Sequence, residues 1–257
     1  MQIPFYKYQG TGNDFVVIDN RQNIFPKNNT KLIGQICDRR FGIGADGLIL
    51  LEKDSESDFN MDYYNSDASQ SMCGNGGRCA VAFAKFLGMI GNKTTFRAID
   101  GLHEATIDGE VVTLKMSNVS EVHQRTRHLF LDTGSPHHVQ LVENLDKFSV
   151  KHEGSRLRYG LYGESGSNIN FVEQQAPDSF KVRTYERGVE DETLSCGTGV
   201  TAVALAMHNS GKTSSKKVNI STPGGDLNVS FDQENGTYSN IHLQGPAIQV
   251  FKGEITC

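Results

Sequence analysis

Two stretches, Met72–Phe86 (MCGNGGRCAVAFAKF) and Ser195–Asn209 (SCGTGVTAVALAMHN), decide how the chain is read, because each is a version of the other. Each sets a cysteine, Cys73 or Cys196, directly before Gly-x-Gly and then opens a run of alanines and larger apolar residues. A run that is apolar all round predicts a buried helix. A cysteine then stands at each helix N-terminus, where the first amide N–H groups lack intrahelical partners and the helix dipole adds partial positive charge. Anions are stabilised there by about 0.3–1 kcal/mol, and a thiol can ionise well below its usual pKa of about 8.5. The glycines let backbone amides approach a ligand with no Cβ in the way.

The duplication extends upstream. FNMDYYNSD (Phe59–Asp67) precedes the first cysteine and FKVRTYERG (Phe180–Gly188) the second, with phenylalanine and tyrosine at matching offsets. Both read as a strand entering a loop, the cysteine and a helix. Two such half-sites, with one thiol on each, suit a reaction that is itself nearly symmetric.

The remaining chain reads as short strands with few helices. IPFYKY and FVVID flank the loop QGTGND, whose Gly10, Gly12 and Asn13 form either a simple turn or a ligand contact. Apolar spacing at Leu32, Ile33, Ile36 and Cys37 predicts a helix capped by Asn29 or Thr30. FGIGADGLILLE runs from glycines into a strand, the reverse of a nucleotide fingerprint. TTFRAID and the Asp108-Gly109 hairpin follow, then LFLDTGSPHHVQLV, with His137 and His138 read first as local hydrogen-bonding groups. GSNINFVE enters a strand through an asparagine and echoes GNDFVV; late strands and the tail IQVFKGEI close the chain. The elements do not alternate as in a doubly wound sheet. The expected fold is α+β, with two pseudo-symmetric domains, each a curved, mainly antiparallel sheet around a central helix. They span 1–118, to which the tail at about 247–257 returns, and 119–246.

A net charge of -5, with no stripe of lysine and arginine, argues against nucleic acid as a partner. The N-terminus has no basic segment followed by an apolar one, and no apolar run approaches a membrane span, so a cytoplasmic protein is expected. The cysteines at 37, 73, 79, 196 and 257 are odd in number and lack Cys-x-x-Cys spacing, which fits reduced thiols better than disulfides or a metal site.

Two thiols in duplicated settings admit a disulfide, a single nucleophilic cysteine with a histidine, or two-base proton exchange at a carbon acid such as an amino-acid α-carbon. Duplication fits the last best, with the adjacent carboxylate held by preorganised amides. No lysine stands in a pyridoxal-phosphate context, so no cofactor is expected.

The set GTGNDF, MCGNGGRC, GSNINF, YERG and SCGTG, in this order and over most of the chain, resembles the diaminopimelate epimerase family. The resemblance implies pyridoxal-independent interconversion of LL- and meso-diaminopimelate, for lysine and peptidoglycan synthesis, in a homodimer. It makes Cys73 and Cys196 the acid/base pair, and Gly74, Asn75, Gly197 and Thr198 the backbone cradle of the reacting carboxylate. Glu186 and Arg187 would fix the reacting amino group and help with the far carboxylate, while Asn13, Asn65 and Asn168 would read the distal end. Three positions depart from the family pattern. Ser135 stands before Pro136 where asparagine is common, with His137 kept; Gly47 stands where some members carry glutamine; Ala68 stands where glycine is usual. Proline racemases and hydroxyproline epimerases share the two-cysteine layout, but a histidine would replace Asn75 and YERG would be unexpected. A phenazine-type isomerase would lack the cysteine pair, and a non-enzymatic alternative is an amino-acid-binding protein with a redox-sensitive thiol pair.

Overall fold

A computed structural model describes residues 2–256; Cys257 lies outside the described residues. The described residues divide into two compact units, one running up to residue 114 and resuming from 245, the other residues 115–244.

In the first unit, β1 (Gln2–Gly10) and β2 (Asn13–Asp19) form a hairpin in which Gly10 faces Asn13. Its two turn residues, Thr11 and Gly12, both have positive φ, 52° and 83°, the geometry that matches strand twist in a two-residue turn. Helix α1 (Thr30–Cys37) starts at Asn29, whose side chain accepts from the Leu32 amide and so satisfies an orphan donor. β3 (Gly47–Glu52) pairs parallel to β2, and β4 (Phe59–Asn65) antiparallel to β3. Helix α2 (Gly74–Phe86) leads to β5 (Lys93–Ala98), parallel to β4; β6 (Gly101–Asp108) pairs antiparallel with β5, and β7 (Val111–Lys115) antiparallel with β6.

The second unit repeats this order. After the short β8 (His123–Gln124), β9 (Leu129–Asp132) pairs antiparallel with β10 (Pro136–Leu141). A 3-10 turn at Leu145–Lys147 and helix α3 (Val150–Tyr162) connect to β11 (Asn168–Ala176), parallel to β10, and then to antiparallel β12 (Ser179–Glu186). The short β13 (Asp191–Thr193) and helix α4 (Gly197–Asn209) precede β14 (Lys217–Thr222), parallel to β12. β15 (Gly225–Glu234) and β16 (Thr237–Pro246) follow as antiparallel neighbours. β17 (Ile248–Thr256) adds to the free edge of β1.

Each unit is thus a mixed, mainly antiparallel α+β sheet, and its strands beside the central helix are buried on both faces. In β2 and β3, Val16, Ile18, Leu48 and Leu50 pack with Ile33 and Ile36 of α1, while Phe15 and Ile49, one residue out of phase, lie beside Gly76 of α2. In the second unit Ile169, Phe171 and Tyr185 pack with α3, and Val172, Val182 and Phe180 with α4.

Two expectations need correction. The three helices expected, around Leu32–Cys37 and after Cys73 and Cys196, omit α3, whose buried positions, Val150, Gly154, Leu157 and Arg158, include only two apolar side chains of any size. The echo between GSNINF and GNDFVV does not mark equivalent strands. β2 is antiparallel to the strand before it and parallel to the one after, which is the place of β10; β11 corresponds to β3. Asn13 therefore matches the Ser135–Pro136 entry, and Asn168 matches Gly47. The two motifs look alike because any strand buried on both faces needs an apolar run, and its first residue is still polar.

Candidate active site

Cys73 is the N-cap residue of α2. Its extended backbone, φ -126° and ψ 117°, turns Sγ back to accept from the Gly76 amide at 3.4 Å. Its thiol donates to Asn13 Oδ1 at 3.5 Å, and Asn75 Nδ2 donates to the same oxygen at 3.3 Å. The other end of the Asn13 amide donates to Asp46 at 2.5 Å. Asp46 also accepts from Arg39, and Arg39 and Lys7 both pair with Asp14. Burial pushes the Asp14 carboxyl up, yet its bonds to Arg39 and Lys7 win and hold it at about 2. Asn13 is therefore fixed by a charged lattice at its back while its oxygen meets the cysteine.

Asn65 ends β4 directly opposite Gly47 of β3. Its amide nitrogen donates to the Ser69 carbonyl and to the Ser69 and Ser71 hydroxyls, holding the loop that leads to Cys73. Gly47 has no room for a side chain: a Cβ there would stand 2.4 Å from Cε2 of Tyr63 and 2.5 Å from the Tyr64 carbonyl oxygen. The ring of Tyr63 fills the space that a glutamine would need. Ala68, in the same loop, has φ 67°, a left-handed conformation that explains why glycine is usual at this place.

In the second unit Cys196 is the N-cap of α4 with nearly the same backbone, φ -122° and ψ 111°, and its sulfur lies 3.5 Å from Thr198 Oγ1. Gly199 is enclosed, since a Cβ would lie 2.5 Å from Asn170 Oδ1 and 3.4 Å from Cys196 Sγ. The Thr198 carbonyl accepts from Thr133 Oγ1, tying the start of α4 to the residues before β10.

Asn168, Ser135 and Arg187 form one cluster. Asn168 Nδ2 donates to Ser135 Oγ at 3.0 Å, and its Oδ1 accepts from the Arg187 amide at 2.9 Å. The Arg187 guanidinium donates to the Ser165 carbonyl and, at 3.4 Å, to Ser135 Oγ. Glu186, the last residue of β12, opens the turn that Glu190 closes through its backbone bond to Glu186. Arg158 of α3 pairs with Glu190 at 3.1 Å and braces that turn.

His137 is fully buried. Its Nδ1 faces Asn170 Nδ2 at 3.1 Å, which as the donor leaves the ring hydrogen on Nε2; that nitrogen has no partner among the described residues. Burial pushes its pKa down to about 3, so the ring is neutral. His138 instead bonds the Tyr162 hydroxyl and stacks on His128. Cys37 and Cys79 are core thiols, pushed up by burial to about 11 and about 12.

The sequence reading misses Asn170, Thr133, Asp46 and Tyr63. Asn170 carries a signal: a second asparagine two residues after Asn168, on the same strand face and within an otherwise apolar run. The others are recruited by contacts remote in sequence.

A model of the diaminopimelate epimerase family matches residues 5–122 and 129–250. The chain belongs to the diaminopimelate epimerase family. The diaminopimelate epimerase of Flavobacterium psychrophilum is 64% identical over 97% of this chain and 99% of its own length. That of Chlorobaculum tepidum is 45% identical over 96% and 99%. The fold extends further than the family. A phenazine biosynthesis protein of Bacillus anthracis superposes with TM-score 0.81 at 12% identity, each chain covered completely. A hydroxyproline epimerase of Agrobacterium vitis gives 0.73 at 15%, covering 99% of this chain and 92% of its own. These two share the architecture, whereas the two diaminopimelate epimerases match this chain in sequence over nearly its full length.

Proposed function

We propose that this chain interconverts LL- and meso-diaminopimelate without a cofactor, with Cys73 and Cys196 as the two proton-transfer groups. The observation that carries this reading is the paired helix entry: each cysteine caps a 13-residue helix with nearly the same backbone angles, in a chain of this family. One cysteine, as thiolate, takes the α-proton and becomes a thiol; the other, as thiol, gives a proton to the opposite face and becomes a thiolate. Charge is conserved, and the reverse reaction exchanges the two roles. The amides at Gly74-Asn75 and Gly197-Thr198 stabilise charge that develops on the carboxylate as the α-carbon is deprotonated.

Glu186 and Arg187 hold the reacting amino group and the far carboxylate. Asn13 and Asn65 face the distal end, and Asn168 acts by holding Ser135 and the Arg187 backbone. His137 adds a neutral ring whose Nε2 hydrogen remains to be given. A distal amino-acid group recognised this way excludes shorter amino acids, which would leave buried polar groups unpaired. The reading places the enzyme in the cytoplasm as a homodimer, within lysine and peptidoglycan precursor synthesis.

Incubating the reduced protein with LL-diaminopimelate in deuterated water, without pyridoxal phosphate, tests the reading by NMR. Meso product carrying deuterium at the inverted centre is expected. Exchange on proline or hydroxyproline instead would transfer the chain to the racemase reading, and exchange on neither would leave amino-acid binding alone.

A further inference from the structure

Arg78 is a charged side chain with none of its surface exposed. Its Nη2 donates to Thr11 Oγ1 at 3.2 Å and its Nε to the Pro246 carbonyl at 3.5 Å, while Nη1 has no partner among the described residues. No carboxylate pairs with it among the described residues. Thr11 belongs to the hairpin turn that ends in Asn13, and the turn is pressed close: a Cβ on Gly10 would lie 3.3 Å from Arg78 Nη2. Burying a guanidinium without a counter-anion is costly, and the group does not escape by losing its proton.

The guanidinium lies at the start of its own helix, since the same Cβ on Gly10 would stand 3.3 Å from the Asn75 carbonyl oxygen and 3.4 Å from Cys79 Sγ; among the described residues, the ionisable groups that act on its charge are Cys79 and Cys73. Thr11, in the hairpin turn, is uncharged, and Tyr8 of β1 is kept neutral by burial. From the described C-terminal residues, the Pro246 carbonyl arrives. Asp46 faces Asn13 and not Arg78. Cys79 is fully buried, and burial keeps it a neutral thiol. Among the described residues, the remaining group that can supply Arg78 with an anion is the Cys73 thiol, on losing its proton.

We infer that Arg78 is a positioning residue for Cys73: its guanidinium pins the Thr11 turn, and with it Asn13, against the helix entry and balances the Cys73 thiolate. The inference deepens the epimerase reading and rests on it for its meaning, but its test needs no substrate. Reduced full-length protein is alkylated with iodoacetamide from about pH 5 to about pH 10, and the Cys73 and Cys196 peptides are quantified separately by mass spectrometry.

In the wild type the Cys73 midpoint is expected below about 8.5, the value of an unperturbed thiol. Arg78→Met raises it by about one unit or more, roughly a tenfold loss of rate at any pH below both midpoints. Arg78→Lys, which keeps the charge, stays near the wild type. A wild-type midpoint at or above that of an unperturbed thiol overturns the inference without any variant. A folded Arg78→Met, or Arg78→Gln should the methionine variant fail to fold, with an unchanged midpoint overturns it equally. A chain that alkylates as expected but does not invert diaminopimelate sinks the epimerase reading and leaves the Arg78–Cys73 pair standing; a chain that inverts diaminopimelate while Cys73 ignores Arg78 does the reverse.

Discussion

Cys73 and Cys196 occupy nearly identical backbone settings, yet their first contacts differ: an asparagine oxygen and an amide for Cys73, a threonine hydroxyl for Cys196. Replacing either by alanine removes one of two proton-transfer groups. Cys73→Ala and Cys196→Ala are each expected to lower inversion at least about 10²–10⁴-fold, the contribution of a positioned acid or base. Far-UV circular dichroism should match the wild type, and near-wild-type turnover by either variant would rule out the two-base scheme. A second residue-scale consequence lies at Ala68, held at φ 67°. A left-handed backbone costs a side-chain-bearing residue roughly 1–2 kcal/mol, part of which glycine returns as unfolded-chain entropy. Ala68→Gly should therefore raise stability by about 0.5–1 kcal/mol in a urea titration, and a destabilised variant would show that the Ala68 methyl makes a compensating contact. The motifs around the cysteines were readable residue by residue because cap, glycine and helix follow one another in sequence. Asp46 behind Asn13, and Tyr63 beside Gly47, were not, because each meets its partner only through strand pairing.

Helices α2 and α4 announce themselves by composition, since a helix packed all round must be apolar all round. Helix α3 does not, having one face on the sheet and the other in solvent, with glycine where the packing is tightest. A Cβ on Gly154 would stand 2.4 Å from Cβ of Tyr185, so this helix sits on β12 at a distance that only glycine allows. Gly154→Ala must push α3 outward, and overpacking of this kind costs about 1–3 kcal/mol. A lowered Tm is expected, together with weaker Arg158–Glu190 bracing and therefore a raised KM for diaminopimelate; an unchanged Tm would mean that α3 moves without penalty. The one sequence signal for α3 is the duplication itself, because α1 fills the corresponding place between β2 and β3.

For the whole molecule, pH sensitivity follows from histidines folded in neutral form. Burial holds His137 at about 3 and His138 at about 4, the latter helped by His128. In the unfolded chain both titrate near 6.5, so between about pH 6.5 and pH 4 the unfolded state binds more protons and stability falls with falling pH. Each ring contributes a slope of up to about 1.4 kcal/mol per pH unit in that window. Denaturant titrations at several pH values should show His138→Gln with a shallower decline than the wild type; equal slopes would show that His138 already carries its proton in the fold. The amino-acid sequence by itself determined the α+β class, the two apolar helices with a cysteine before each, and the family, because these depend on residues adjacent along the chain. Tertiary structure alone decided that Asn168 answers to Gly47 and not to Asn13, that Tyr63 closes the space at Gly47, and that a buried arginine holds the Thr11 turn. Those are matters of strand register and packing, in which residues far apart in sequence settle each other's surroundings.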